Sequence, residues 1–175
     1  ARLAADLATF RRVWAGEISA QGGPTTALPP GRPTLLFGGL VPAAFTRAAT
    51  EGEGWVSPLF GLQMLTEGAT AVRQAWSAAG RPGEPRIATG RYVSLGPGAG
   101  TVAEEYLRHY YGEDALAVAL PDTLTTPDRV GAELVRLAEA GVTDLVLHPC
   151  SADRDQVALI ADAVEAAHPV GVTSA

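Results

Sequence analysis

The sequence has 175 residues, of which 47% are hydrophobic and 18% are charged, so it is long enough and apolar enough for about one globular domain. Its net charge of −6 and the absence of a basic face argue against nucleic acid and anionic membranes as partners. No apolar run approaches the roughly 20 residues that span a bilayer, and the single cysteine excludes an internal disulfide. We therefore expect a cytoplasmic protein with no membrane contact.

The first elements differ sharply in pattern. Apolar residues recur at helical spacing between residues 3 and 14, which predicts an amphipathic helix. The segment 17–33 is rich in Gly, Pro and Thr and has no periodicity, so we interpret it as an irregular insertion loop. We treat residues 1–175 as a single partial domain.

Four short apolar segments then alternate with amphipathic helices that end at glycines. The pattern predicts strands at 34–37, 55–59, 86–95 and 143–148. Such alternation indicates an α/β fold with a parallel sheet, either open and doubly wound or closed as a (β/α)8 barrel. A complete barrel needs about 250 residues, so four parallel (β/α) units would form the C-terminal half of a TIM-type barrel.

A pair of glycines, Gly38 and Gly39, lies between the first of these strands and a helix that Pro42 begins. The N–H groups at a helix N-terminus attract anions, commonly phosphate, and glycine lets a ligand approach the backbone closely. This favours a phosphate cradle. The alternative is a tight turn that requires a positive φ, and the motif has no Lys-Ser/Thr of a P-loop to decide between them.

A second glycine-rich loop, Gly96 to Thr101, also lies between a strand and a helix. It lacks the full G-x-G-x-x-G spacing, and it is either a second phosphate candidate or a surface loop. Thr101 and Glu104 predict that the helix after it begins with a capping box.

Few side chains could carry chemistry. His148 ends the last strand, at the edge where barrel enzymes place catalytic groups, and it is either a proton shuttle or a capping residue. Arg91 shares a strand face with Thr89 and Val93, and it is either an inward ligand for a phosphate or carboxylate or an exposed residue at the rim. His148 and Cys150 together are too few ligands for a zinc site, so we predict no metal.

The order of several segments resembles the luciferase-like monooxygenases, the bacterial luciferase superfamily. These segments are "FRRVWAGE", "RPTLLFGGLVPAAFTRAATEGEGW", "AAGRPGEPRI" and "TTPDRVGAELVRLAEAGVTDLVLHP". The resemblance covers residues 10 to 165. The resemblance implies a flavin- or deazaflavin-dependent (β/α)8 enzyme, with FMN or coenzyme F420 as cofactor and a small organic substrate.

The resemblance also implies roles for single residues. The turn of Gly38, Gly39 and Leu40 would hold the cofactor phosphate through backbone N–H groups, although Leu40 stands where many members have a hydroxyl side chain. Trp55 would lie near the cofactor ring. With Arg91, these residues form the predicted cofactor site, and His148 is the catalytic candidate.

Two functions remain open. The first is a flavin-type oxidoreductase of which this chain is the C-terminal half. The second is a non-catalytic half-barrel that acts as a structural or partner-binding module. Half a barrel leaves strand edges unpaired, so we expect a homo-oligomer or completion by an N-terminal half.

Overall fold

A computed structural model describes residues 2–17 and 33–167 of the chain. The predicted insertion loop at 17–33 lies almost wholly outside the described residues. The chain divides into two compact units, Ala1–Leu35 and Leu36–Ala175. The first contains helix α1 (Arg2–Trp14), in which Phe10 stacks on Trp14 with ring centroids 5.9 Å apart.

The second unit is built from strand–helix units. Its strands are β1 (Leu36–Gly38), β2 (Gly54–Val56), β3 (Arg86–Val93) and β4 (Asp144–Pro149). Its helices are α2 (Pro42–Glu51), α3 (Leu62–Ala78), α4 (Ala99–Tyr111), α5 (Glu113–Ala119), α6 (Pro127–Glu139) and α7 (Asp155–Ala167), with a short 3-10 turn at Leu120–Asp122.

All four strands are parallel and lie side by side in chain order, β1-β2-β3-β4. An open doubly wound sheet reverses its strand order at a switch point, whereas a barrel adds each new strand on the same side. The strand order therefore confirms the parallel (β/α) fold class and is that of part of a barrel.

The two faces of the sheet have different surroundings. Trp55 and Ile87 pack with residues of α2 and α3, while Val93 packs with residues of α6 and α7. Because side chains alternate along a strand, Ala88, Gly90 and Tyr92 lie on the opposite face, which we call the inner face.

The inner face is partly open. Val56 and Val146 are 38% and 53% exposed, and Gly38 is exposed as well. Along β3 it is covered, since Ala88, Gly90 and Tyr92 are all buried, and at the carboxyl end of the strand Tyr92 packs against Leu107 of α4 and Leu116 of α5.

Two helices begin in different ways. Thr126 caps α6, and its side chain accepts a hydrogen bond from the N–H of Arg129 at 3.2 Å. The capping box predicted for α4 is wrong, because Gly98, in the left-handed region at φ 72°, begins that helix and Thr101 lies inside it. No helix of the described residues is long and apolar enough to cross a bilayer.

Candidate functional site

The turn after β1 requires glycine at its second position. Gly39 has φ +115°, and a Cβ placed there would lie 2.9 Å from the Cβ of Ala44. Gly38 has no such constraint, because a Cβ there would meet the Cγ1 of Val56 at 3.4 Å, which is an ordinary contact. Gly39 is therefore required by a tight turn with a positive φ. The backbone does not require glycine at position 38, which is exposed on the inner face.

Trp55 holds this turn in place from the helix side of the sheet. Its side chain is fully buried, and its indole N–H donates a 2.9 Å hydrogen bond to the carbonyl of Gly39. Phe45 of α2 meets the indole edge-on, with ring centroids 5.8 Å apart. The structure thus places Trp55 among the helices, where it contacts the turn rather than the inner face.

The backbone of the turn offers free donors. No acceptor for the N–H groups of Leu40 or Val41 lies among the described residues, and both side chains are exposed. Pro42 begins α2 directly after them, so these N–H groups lie beside the positive end of the helix dipole. The turn can accept an anion through its backbone, although Leu40 contributes no hydroxyl group.

The second glycine loop lies over a cavity of about 220 Å³ at the ends of β3 and β4. The side chain of Gln156 reaches across from α7, accepting from the N–H of Leu95 at 2.9 Å and donating to its carbonyl at 2.8 Å. Asp153 and Asp155 line the same cavity. Two carboxylates make it a poorer environment for a phosphate than the turn after β1.

Arg91 is fully buried on the helix-facing side of β3. Its Nε lies 2.7 Å from Oε1 of Glu133 on α6, and its Nη1 donates to the carbonyls of Leu59 and Gly90 at 2.9 and 2.7 Å. Its Nη2 has no partner among the described residues. The structure therefore does not place this guanidinium on the rim, and it gives Arg91 a protein carboxylate as its partner.

His148 lies at the carboxyl end of β4, opposite Tyr92 of β3, with ring centroids 5.8 Å apart. The Tyr92 hydroxyl lies 2.9 Å from that of Tyr111, and burial together with this hydrogen bond raises the pKa of Tyr92. Tyr92 is therefore a neutral phenol at physiological pH. His148 makes no hydrogen bond or ion pair with the described residues, so its imidazole is available to a ligand.

Cys150 follows two residues later and is buried beneath α4 and α5. Burial raises the pKa of its thiol to about 11, so the reactive thiolate is scarce at neutral pH. Residues 2–17 and 33–167 contain no group of three or more side chains suited to hold a metal.

Sequence reasoning missed three residues that shape this region: Glu133, Gln156 and Tyr92. Glu133 sits on a helix 42 residues from its partner, and no periodicity signals that pairing. Gln156 bonds to the backbone of Leu95, which lies 61 residues away in the sequence, so no local pattern signals that contact. Tyr92 could have been found, because it alternates with Gly90 on the inner strand face.

Comparisons with known proteins agree with this architecture. The family described as luciferase-like monooxygenase matches residues 3–174. A search of curated proteins gave no significant match.

Solved structures show the same fold at low sequence identity. An F420-dependent secondary alcohol dehydrogenase, solved in complex with an F420-acetone adduct, has a TM-score of 0.69 at 16% identity, with 93% of this chain and 60% of that one covered. The monooxygenase RslO1 from Streptomyces bottropensis has a TM-score of 0.60 at 21% identity, with 91% and 58% covered. The coenzyme F420-dependent tetrahydromethanopterin reductase from Methanopyrus kandleri has a TM-score of 0.59 at 14% identity, with 91% and 60% covered. The chain thus spans about 60% of the length of these structures.

Proposed function

Because the chain belongs to the luciferase-like monooxygenase family, we propose that it supplies the C-terminal half of a flavin- or deazaflavin-dependent oxidoreductase. The observation that carries this proposal is the family match over residues 3–174. The solved relatives support a cofactor of this type, since two of them are described as F420-dependent. The proposed cofactor is FMN or coenzyme F420, and the proposed substrate is a small organic molecule.

The residues of the turn after β1 fit the phosphate of such a cofactor. The N–H groups of Leu40 and Val41 have no acceptor within residues 2–17 and 33–167, and Gly38 leaves the inner face open beside them. We therefore assign the phosphate to the backbone of Gly38, Gly39 and Leu40. Trp55 supports this cradle by holding the carbonyl of Gly39, which fixes the direction of the Leu40 N–H in the same planar peptide.

When bound, a reduced cofactor of this class supplies a hydride or the electrons that activate oxygen. The chain's own residues bind the cofactor, orient it and exchange protons. His148 is the proton-transfer candidate, since imidazole is a common general acid and base in enzymes and that of His148 makes no hydrogen bond within the described residues. Arg91 stabilises the fold, because its ion pair with Glu133 joins β3 to α6.

The open inner face suggests which kind of protein partner the chain would bind. Val56 and Val146 are exposed apolar residues on a face that the remaining strands of a barrel would cover. We propose that an N-terminal half completes the barrel, or that the chain associates with a second copy.

A non-catalytic module remains the second candidate, because a specific observation favours it. Trp55 and Arg91, two of the predicted cofactor contacts, are both fully buried among protein atoms. If the free N–H groups of the turn are only solvated, the chain serves as a scaffold.

Two variants of the full-length protein separate these candidates. Gly38→Ala adds a methyl group where the fold has room, so we expect the unfolding midpoint to be unchanged and the affinity for FMN or F420 to fall by at least tenfold, which is about 1.4 kcal/mol. Gly39→Ala is expected to lower stability as well, because its φ of +115° is strained for alanine.

Equilibrium titration monitored by cofactor fluorescence measures the affinity, and circular dichroism checks the fold. Gly100→Ala tests the second loop, since a Cβ there meets nothing within 4 Å. Unchanged affinity in folded Gly38→Ala would refute phosphate binding by the turn after β1. Loss of affinity in Gly100→Ala alone would indicate that the loop from Gly96 to Thr101 binds the phosphate.

A further inference from the structure

Gly90 is a glycine in the middle of a buried strand. Every residue of β3 after Arg86 is buried, and glycine in such a position weakens a strand relative to alanine. Gly90 is not among the glycines with positive φ, so its backbone conformation does not require glycine. A glycine inside a strand often marks the close approach of another group.

The group that approaches Gly90 is the imidazole of His148. A Cβ built on Gly90 would lie 2.7 Å from Nε2 and 2.9 Å from Cδ2 of His148, both closer than van der Waals contact, and 3.2 Å from Cγ of Leu59. The imidazole therefore occupies the volume that a side chain at position 90 would fill.

The ring of Tyr92 is the second contact of this imidazole, with centroids 5.8 Å apart and planes inclined by 49°. Within the described residues no hydrogen bond or ion pair orients His148. Its orientation therefore depends on the space over Gly90 and on the neighbouring Tyr92 ring. The edge of the imidazole with Nε2 and Cδ2 lies toward Gly90, so Nδ1 is on the opposite edge of the ring.

We propose that Gly90 is a positioning residue for His148: the absence of a side chain on Gly90 creates the slot in which the imidazole lies. Adding a methyl group would displace the imidazole, the end of a side chain that can rotate, before it displaced the backbone. The slot itself follows from the geometry, and only its catalytic purpose rests on the proposed function.

A double-mutant cycle on the full-length protein tests the slot without any cofactor. Gly90→Ala is expected to lower the urea unfolding midpoint in the wild-type background and to lower it clearly less in the His148→Ala background, where only the 3.2 Å contact with Cγ of Leu59 remains. Gly38→Ala is the matched control, because it is a strand glycine whose Cβ would meet no atom closer than 3.4 Å. Its effect is expected to be the same in both backgrounds. An equal effect of Gly90→Ala in both backgrounds would overturn the proposal.

A spectroscopic signature gives a second, independent measurement. The sequence has three histidines, so labelled imidazole resonances can be assigned by substitution. In Gly90→Ala the resonance of His148 is expected to move while the other two stay in place, and in Gly38→Ala none is expected to move. A His148 resonance that is unchanged in Gly90→Ala would contradict the slot.

Turnover separates the slot from the proposed function. If His148 transfers a proton, Gly90→Ala and His148→Ala each lower kcat by about tenfold or more with a smaller change in KM, and the double variant is no worse than His148→Ala. Coupling in the unfolding cycle with unchanged kcat in His148→Ala would support the slot and remove the catalytic role of His148.

Discussion

The buried pair between Arg91 and Glu133 permits a quantitative prediction. Arg91 is fully buried, and the carboxylate of Glu133 accepts from Nε of Arg91 at 2.7 Å and from Nε of Arg136 at 2.6 Å. Glu133→Gln preserves the shape of the side chain and removes its charge, which leaves the guanidinium of Arg91 buried without a counter-charge.

The size of the effect follows from this geometry. Removing one partner of a buried ion pair costs about 3–5 kcal/mol. Arg91 keeps the carbonyls of Leu59 and Gly90 as acceptors, so we expect the lower end, about 3 kcal/mol. With urea m-values of about 1–3 kcal/mol/M, the unfolding midpoint should fall by roughly 1–3 M.

Urea unfolding of the full-length protein, followed by circular dichroism, measures this shift. Glu139→Gln is the matched control on α6, since Glu139 is exposed, and it should change stability by no more than about 0.5 kcal/mol. The double variant Arg91→Met with Glu133→Leu should recover most of the loss, because no charge remains buried. A Glu133→Gln effect below about 1 kcal/mol would refute the view that this pair is desolvated and mutually dependent.

Three further predictions concern the rest of the fold. The guanidinium of Arg86 holds the pKa of Asp144 below its usual range, so the stability that Asp144 adds is complete above the ordinary aspartate pKa and is lost as the pH falls through the lowered one. The difference in unfolding midpoint between wild type and Asp144→Asn should therefore shrink in acid, and a difference independent of pH would contradict this ion pair. Cys150, with a pKa of about 11, should react with a disulfide reagent at pH 8 far more slowly in the folded than in the urea-unfolded protein, and equal rates would show that it is accessible. A Cβ at Gly68 would lie 2.3 Å from Cη2 of Trp55, so Gly68→Ala should lower the free energy of unfolding by about 1–3 kcal/mol. Unfolding midpoints should show a smaller loss in a Trp55→Phe background, and an equal loss there would contradict this contact.

Much of the architecture could be predicted from the sequence because its signals are local. Short apolar segments that alternate with glycine-terminated helices predicted the four parallel strands, and the bounds of β3 and β4 agree with prediction to within two residues. The choice between an open sheet and a barrel could not be made from these patterns, since it depends on strand order.

The site was less predictable because it depends on which strand face meets the helices. Alternation correctly grouped Arg91 with Thr89 and Val93, but the packing of Val93 against α6 and α7 shows that this group faces the helices. Trp55 also faces the helices. Its hydrogen bond to Gly39 could not be predicted, because the two residues are 16 positions apart in the sequence. The closeness of Gly90 and His148 likewise arises only from the pairing of β3 with β4.

We propose that the turn of Gly38, Gly39 and Leu40 holds the phosphate of a flavin-type cofactor. A crystal structure of the full-length protein with FMN or coenzyme F420 bound would show this contact. We predict a phosphate oxygen within about 2.7–3.2 Å of the N–H groups of Leu40 or Val41. A phosphate bound instead at the loop from Gly96 to Thr101, or a folded protein that binds neither cofactor, would contradict this assignment of the phosphate.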